Sequence, residues 1–209
     1  MADIKLTKNS LRAEEKRLDL LKKYLPTLQL KKALLQMEVQ EAKLELQTLK
    51  SEFEKLYKDV QSFSALFTDI ESIDLQEAAK IQAVEKGYDN IAGVEVPVFK
   101  NIEFAPFEYS LFEAPVWVDP AIARMRKVSE QKARLEIAEE KKQALEKELR
   151  EVSIRVNLFE KVLIPEAFAN IKKIKVFLGD QDLAAVARAK KAKNKIEQRK
   201  LLSKLKSVH

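Results

Sequence analysis

The sequence predicts an all-α fold, a long antiparallel two-helix coiled coil with a short β-hairpin-like insert at the bend. The first observation is a pair of apolar stripes, each with the 3.5-residue repeat of a supercoiled helix. The second is a short segment between them that is rich in glycine, proline and aromatic residues. The third is the composition. The high share of charged residues, 34%, and the presence of only three glycines favour long helices, and the absence of cysteine excludes a disulfide framework.

The first stripe runs from Leu11 to Ile70 in alternating steps of three and four residues, and only two of its eighteen positions are polar. It stays in phase across Pro26, where we expect a bent but continuous helix. Small polar residues between Thr7 and Ser10 can accept the free amide hydrogens of the first turn, so the helix should begin there. The positions of the stripe are Leu11, Glu14, Leu18, Leu21, Leu25, Leu28, Lys32, Leu35, Val39, Ala42, Leu46, Leu49, Phe53, Leu56, Val60, Phe63, Phe67 and Ile70.

The insert is residues 87–118, and two of the three glycines and four of the six prolines lie between Gly87 and Pro120. Valines alternate with other residues from Val94 to Val98, Lys100-Asn101 can turn, and the alternation resumes from Ile102 to Phe104. This is a modest hairpin pattern, in which Pro97 confines its strand to an edge. Six of the fifteen aromatic residues lie between Phe99 and Trp117 and form either a small satellite core or an apolar docking face for another subunit: Phe99, Phe104, Phe107, Tyr109, Phe112 and Trp117.

The second stripe opens after Asp119-Pro120, which has the pattern of a helix N-cap followed by a first-turn proline. Its phase slips at Pro165, as in a stutter that locally unwinds a supercoil. Gly179-Asp180 then interrupts it, and we expect the basic tail to form a further, less firmly packed helix. The positions are Ala121, Arg124, Val128, Gln131, Leu135, Ala138, Lys142, Leu145, Leu149, Val152, Val156, Phe159 and Leu163, then Ala167, Ile171, Ile174 and Leu178.

The insert is too short to cross the length of a parallel pair, so the two helices should run antiparallel. Partner residues then have numbers that sum to roughly 190, and Lys32 faces Asn157 and Glu160 as a register-fixing polar contact. Both termini lie at one end with a combined charge near +11, and the insert lies at the other. The predicted segments are residues 1–86 (long helix, with Glu71 to Val84 as a short continuation), 87–118 (insert), 119–187 (second long helix) and 188–209 (basic tail).

The sequence offers little catalytic chemistry. The only histidine, His209, ends the chain, where a frayed terminus cannot hold a general base in place. No glycine-rich phosphate loop occurs, and carboxylates such as Glu139-Glu140 alternate with lysines and arginines as on a solvated helix face. We therefore expect a protein that is not an enzyme by itself, with no cofactor and no metal site, and no segment long and apolar enough to cross a membrane.

The basic tail leaves several interpretations open. It is a solvated helix end, a nucleic-acid arm that lacks aromatic residues for base stacking, a membrane-surface patch that lacks a strong apolar face, or a basic tip that enters a complementary protein cavity. At the level of the whole chain, one interpretation is a structural or tethering coiled coil, including one that binds a membrane surface. A nucleic-acid protein would bind with steep salt dependence.

Two motifs resemble the D subunits of the V/A-type rotary ATPases. Residues 90–99 read NIAGVEVPVF, similar to the family's N-[IV]-A-G-V-x-x-P-x-F. Residues 155–165 read RVNLFEKVLIP, similar to R-V-N-A-L-E-x-V-[LI]-I-P, and Ile171 to Ile174 matches the I-K-x-I pattern that follows it. The region from Lys23 to Leu35 departs from the family's usual K-R-D-x-L run, which suggests a divergent bacterial branch.

The resemblance implies a central-stalk protein that transmits torque between a nucleotide-binding ring and a membrane ion-translocating rotor. The implied partners are the catalytic and non-catalytic ring subunits, the small F subunit of the rotor and a funnel subunit that links to the membrane ring. We expect neither nucleic-acid binding nor direct membrane insertion, and a cytoplasmic location at the membrane through the complex. The partner-binding residues we predict are Val94, Val96, Val98 and Phe99 in the insert and Arg188, Lys190, Lys191 and Lys193 in the tail.

Overall fold

The computed structural model describes residues 5–62, 75–109 and 115–206, which are helical apart from one β-hairpin and short connections. The predicted fold class, a mostly helical coiled coil with a small β insert, is confirmed. The elements are α1 (Lys8–Ser62), α2 (Leu75–Ala78), β1 (Ile81–Ile91), β2 (Val94–Phe104), α3 (Val118–Leu158), a π-helical turn (Phe159–Leu163) and α4 (Ile164–Lys206).

Helix α1 begins where its capping residues predict. Thr7 accepts the backbone N–H of Ser10 with its hydroxyl oxygen at 3.2 Å and that of Leu11 with its carbonyl oxygen at 3.0 Å, as an N-cap does. The helix continues through Pro26, as predicted, and ends at Ser62. The last predicted stripe positions, Phe63, Phe67 and Ile70, lie outside the described residues.

Both predicted stripes form the buried seams of the helices. Every stripe position that the structure describes, in α1 and in α3 to α4, is buried or half-buried. Contacts divide the chain into two compact units, one of Met1–Leu28 with Arg155–His209 and the other of Gln29–Ile154. Each unit therefore contains one stretch of α1 and the returning stretch that packs against it.

The first unit pairs the start of α1 with α4. Leu18 packs with Ala167 and Ile171 in a cluster flanked by Leu11 and Ile164. The carboxylate of Glu15 lies 2.9 Å from the ammonium of Lys175, and the ammonium of Lys22 lies 4.7 Å from the ring centroid of Phe168. Both pairs have residue numbers that sum to 190, so the antiparallel direction and the predicted register are confirmed here.

The second unit pairs the remainder of α1 with α3. Leu35 and Leu145 are fully buried in its seam, and Gln131, the buried polar residue there, donates to the carboxylate of Glu52 at 2.8 Å. Ion pairs cross the seam on both sides, and their residue numbers sum to between 179 and 189, slightly below the prediction: Lys31 with Glu148, Lys43 with Glu146, Glu45 with Lys141 and Asp59 with Arg124. Lys31, next to Lys32, makes a part-buried contact with Glu148. The predicted contact of Lys32 with Asn157 and Glu160 stays a prediction.

The predicted phase slip has a structural cause in the π-helical turn. The N–H of Ile164 donates to the carbonyl of Phe159, five residues earlier, so one extra residue fits into the turn. The turn directly precedes Pro165, whose ring would clash with the carbonyl four residues before it in a regular α-helix. Because the extra residue is absorbed, Val156 before the turn and Ala167 after it are both buried.

The hairpin differs from the prediction in its turn and its extent. We predict a turn at Lys100-Asn101, but β2 runs unbroken through these residues, so that prediction is wrong. The turn is Ala92-Gly93, with φ of 51° and 80°, between the paired residues Ile91 and Val94. Two central residues with positive φ define a two-residue type I′ loop, whose twist matches that of the strands.

β1 begins at Ile81, inside the segment predicted as a helical continuation, so only Leu75–Ala78 of that continuation is helical among the described residues.

We predict the insert at the end of the helix pair, but the hairpin lies alongside α1 and α3. Lys86 forms an ion pair with Glu140 at 2.7 Å, and the guanidinium of Arg134 lies 4.8 Å from the ring centroid of Phe99. The hairpin is therefore folded back along α1 and α3, until its turn approaches Lys31.

Helix α3 begins one residue before the predicted cap. The N–H of Ala121 donates to the carbonyl of Trp117 at 3.1 Å, so Asp119 and Pro120 lie within the first turn. Asp119 lies in the first turn, where its carboxylate interacts favourably with the positive end of the helix dipole. It also accepts a hydrogen bond from the hydroxyl of Tyr109.

Truncation of a seam leucine tests the core of the second unit. We expect Leu145→Ala to lower the free energy of unfolding by about 2–5 kcal/mol, because a fully buried side chain leaves a cavity. Leu183→Ala is the matched control, since Leu183 is 71% exposed and surface changes stay within about 0.5 kcal/mol. Urea unfolding followed by circular dichroism measures both, and equal losses in the two variants would contradict the seam.

The hairpin turn makes a second prediction. Gly93→Val places a β-branched side chain at a φ of 80° and should destabilise the hairpin by about 1–2 kcal/mol. Ala92→Gly relieves the same kind of strain at φ 51° and should leave the hairpin unchanged or more stable. Amide hydrogen exchange of β1 and β2 reports both effects, and unchanged protection in Gly93→Val would refute the turn assignment.

Candidate functional site

The described residues show no constellation for chemistry. Across residues 5–62, 75–109 and 115–206, no group of three or more His, Cys, Asp or Glu side chains is arranged to hold a metal ion. None of the helices in these ranges has the length and apolar character needed to cross a bilayer. The only histidine, His209, lies outside them. The candidate sites are therefore surfaces, and we take each in turn.

The predicted basic residues of the tail lie on an exposed helix. α4 continues without a break through Gly179 to Lys206, so the prediction that the tail forms a further, separate helix is wrong; one glycine costs only about 1 kcal/mol in a helix. Every residue from 179 to 200 is exposed, a stretch of about 33 Å at 1.5 Å per residue. This stretch, which we call the basic arm, carries Arg188, Lys190, Lys191 and Lys193 and has Glu197 as its single acidic residue after Arg188.

The four predicted residues of the hairpin lie together on β2 but differ in accessibility. Val96 is fully buried, whereas Val94 and Val98 are half-buried. Phe99 is also half-buried, with its ring beneath the guanidinium of Arg134. Val96 thus supports the hairpin from inside, and only its neighbours offer surface to a partner.

The aromatic residues of the insert pack largely within the second unit. Phe107, Tyr109 and Trp117 rest on a small cluster formed by Ala78, Val118 and Ile122. Phe104 lies under the guanidinium of Arg126, 5.3 Å from its ring centroid, and that guanidinium also donates to the carbonyl of Ala78. Of the two interpretations of these aromatics, the contacts favour the satellite core; Phe112 lies outside the described residues.

One surface has no counterpart among the sequence predictions. In the second unit, α1 exposes a row of large apolar side chains: Leu30 (62%), Leu34 (46%), Met37 (69%) and Leu44 (65%). The row starts two residues after the seam position Leu28, which is about 200° around a helix, so it lies on the far side from α3. The signal was present in the sequence, because a second repeat of fours and threes follows the seam at this offset.

The three surfaces differ in the chemistry that they present. The basic arm presents positive charge together with the exposed apolar side chains of Leu183, Val186 and Ile196. Its charge suits a complementary acidic surface or cavity. The hairpin presents half-buried valines and Phe99 on a folded-back ribbon. The apolar row of α1 presents exposed leucine and methionine, which a partner protein would cover.

Comparison with known proteins gives a consistent assignment. The profile of the family described as the D subunit of ATP synthase matches residues 10–194. Three relatives are each named as the D subunit of a V-type ATP synthase. The protein of Chlamydia felis is 48% identical over 95% of this chain and 96% of its own. That of Chlamydia pneumoniae is 43% identical over 94% and 95%, and that of Chlamydia muridarum 46% identical over 95% and 98%.

Proposed function

We propose a function from one premise: this chain belongs to the family of ATP synthase D subunits. The proposed function is that of the central-stalk component of a V/A-type ATP synthase or ATPase. In this role it is the rotor axle, which transmits torque between the nucleotide-binding ring and the ion-translocating rotor in the membrane. The chain itself contributes no catalytic group and acts in the cytoplasm, attached to the membrane through the complex.

The observation that carries this proposal is the family match over almost the whole chain, together with antiparallel helix pairing within each unit. An axle has to resist twisting. A helix pair with a buried seam and cross-seam ion pairs provides such resistance, because relative sliding would break many contacts at once. The interruption at Pro165 is absorbed by a π-helical turn without loss of the seam, which supports the same role.

The basic arm is the part that we propose enters the ring. It runs beyond the level at which α4 pairs with α1, since the last ion pair there joins Lys175 to Glu15 and all residues from 179 to 200 are exposed. A long exposed helix of high positive charge suits an enclosed protein cavity lined by catalytic and non-catalytic ring subunits. The small F subunit of the rotor and the funnel subunit are the further partners that we propose.

Charge reversal in the basic arm tests this assignment. We expect the triple variant Lys190→Glu, Lys191→Glu, Lys193→Glu to reduce recovery of the nucleotide-binding ring about tenfold and to uncouple ATP hydrolysis from ion transport, because like charges would face each other in the cavity. Deletion of residues 188–209 should have the same effect. Co-purification and ion transport per ATP hydrolysed are the measurements.

The matched control for the arm reverses three exposed lysines of α3: Lys127→Glu, Lys132→Glu and Lys147→Glu. It makes the same change in net charge on the second unit and should leave coupling intact. Normal coupling in the truncated complex would rule out the role of the arm.

The hairpin gives an independent test of partner binding. We expect Val94→Ser with Val98→Ser to alter ATPase activity or assembly of the complex while the helix content stays unchanged, since both side chains are half-buried at the surface. Val116→Ser, at a residue that is 96% exposed outside the hairpin, is the control. Val96→Ala is unsuitable because its buried side chain supports the fold. Complexes that assemble and hydrolyse ATP normally would exclude the hairpin as a docking element.

A further inference from the structure

A cavity of about 330 Å³ lies in the second unit, where strand β2 of the hairpin is folded against the helix pair. Three elements form its walls. α1 contributes Glu45 and Leu49, β2 contributes residues 97–100, and α3 contributes Arg134, Ile137, Ala138 and Lys141. Pockets for small molecules begin at about 300 Å³, so the cavity has room for a small ligand.

The charges around this cavity are predominantly positive. Three basic side chains line it, those of Lys100, Arg134 and Lys141. Glu45 is the one acidic residue among the described residues of its walls, so the lining has a net charge of +2. Charges of one sign that line a concave site attract ligands of the opposite sign. The cavity therefore favours an anion.

Two of the three cations have partners in the protein but keep donors for a ligand. Arg134 donates to the carboxylate of Glu130 at 2.7 Å, and its guanidinium lies over the ring of Phe99. Lys141 donates to the carboxylate of Glu45 at 2.9 Å. A guanidinium has five N–H donors and an ammonium has three, so both side chains can also donate to a bound anion.

Lys100 is the cation without a partner in the protein. It is exposed, and within the part of the chain that the structure describes its ammonium makes no ion pair and no hydrogen bond. Its stem nevertheless packs closely across Gly87 of the neighbouring strand. A methyl group at Gly87 would lie 2.8 Å from Cε and 3.3 Å from Cγ of Lys100. The glycine thus makes room for a lysine stem that lies along the hairpin and places an unpaired ammonium at the cavity.

The net charge and the apolar walls indicate the class of ligand. A phosphate monoester carries a charge of about −1.5 to −2 at neutral pH, which matches the lining, whereas a single carboxylate would neutralise about half of it. The planar fork of an arginine also suits phosphate oxygens. Leu49, Val98 and Ile137 add apolar wall, which a bare phosphate ion would leave in contact with water. An apolar group attached to the phosphate would cover that wall.

We propose that this cavity binds a small organic phosphate. The phosphate group lies between Lys100 of the hairpin and the two basic residues of α3, Arg134 and Lys141, and the organic group packs on the apolar wall. A ligand held in this way joins the hairpin to the helix pair and stabilises its folded-back position. The proposal goes beyond the proposed function and does not depend on it, because the whole site lies within residues 29–154.

Calorimetric titration of the purified full-length chain at about 0.15 M salt tests the site. The probes are phenyl phosphate, inorganic phosphate and benzoate. We expect one phenyl phosphate to bind per chain, about tenfold more tightly than either of the other two. Inorganic phosphate lacks the apolar group, and benzoate lacks the second negative charge.

Three variants locate the bound phosphate. Lys100→Gln removes the unpaired cation and should weaken the binding of phenyl phosphate about tenfold. Gly87→Ala keeps every charge but displaces the stem of Lys100, so it should weaken binding about threefold. Glu45→Gln removes the carboxylate that competes for Lys141 and should strengthen binding about threefold, a change of opposite sign.

The matched controls each remove one exposed lysine elsewhere, Lys127→Gln on α3 and Lys191→Gln on the basic arm. Both should bind phenyl phosphate as the unaltered chain does. Circular dichroism and amide hydrogen exchange of β1 and β2 establish that each variant retains the helices and the hairpin.

Any of four results would overturn the proposal. Inorganic phosphate or benzoate could bind as tightly as phenyl phosphate, Lys100→Gln or Gly87→Ala could leave binding unchanged, or Glu45→Gln could fail to strengthen it. The fourth is an equal loss in Lys191→Gln and Lys100→Gln, which would place the ligand on the basic arm. None of these results bears on the proposed function, which fails separately if a complex without residues 188–209 keeps normal coupling.

Discussion

The antiparallel seam between α1 and the returning helices is the interaction on which the other features depend. It buries leucine, valine and alanine side chains in each compact unit, and fully buried residues such as Leu35, Leu145 and Ile174 occur in both. The helices depend on this seam, since most of the stability of a helix in a protein comes from packing of its apolar face. The hairpin and the small aromatic cluster add to a scaffold that this seam has already formed.

The need to keep that seam continuous explains the irregular turn before Pro165. The apolar positions from Phe159 to Ala167 are spaced by fours, one residue more than the seam allows. A regular helix would rotate the following residues away from α1, and the proline ring would clash with the preceding turn. The π-helical turn absorbs the additional residue, so that Ala167, Ile171 and Ile174 return to the buried side.

The sequence predicts the long-range organisation well because one periodic signal determines which faces are buried, and the shortness of the insert determines the helix direction and the approximate register. It predicts the hairpin poorly, since Lys100-Asn101 and Ala92-Gly93 both have turn residues and only cross-strand pairing with β1 selects the second. The folded-back course of the hairpin depends on contacts such as Lys86 with Glu140, between residues far apart in sequence. For the candidate sites, spacing and charge indicate the basic arm, but the accessibility of Val94 and the burial of Val96 require the folded chain.

The distribution of charge over α1, α3 and α4 follows from what each surface contacts. The exposed side of α3 is rich in both signs, as expected of a helix face in water. From Arg188 onward the basic arm of α4 carries one sign almost exclusively, which destabilises the helix by self-repulsion unless opposite charge surrounds it. The row of exposed apolar side chains on α1, which contains Leu30, Leu34, Met37 and Leu44, leaves apolar surface in water. Both departures from an ordinary solvated surface are unfavourable in the isolated chain, so each is a reason to expect a partner at that surface.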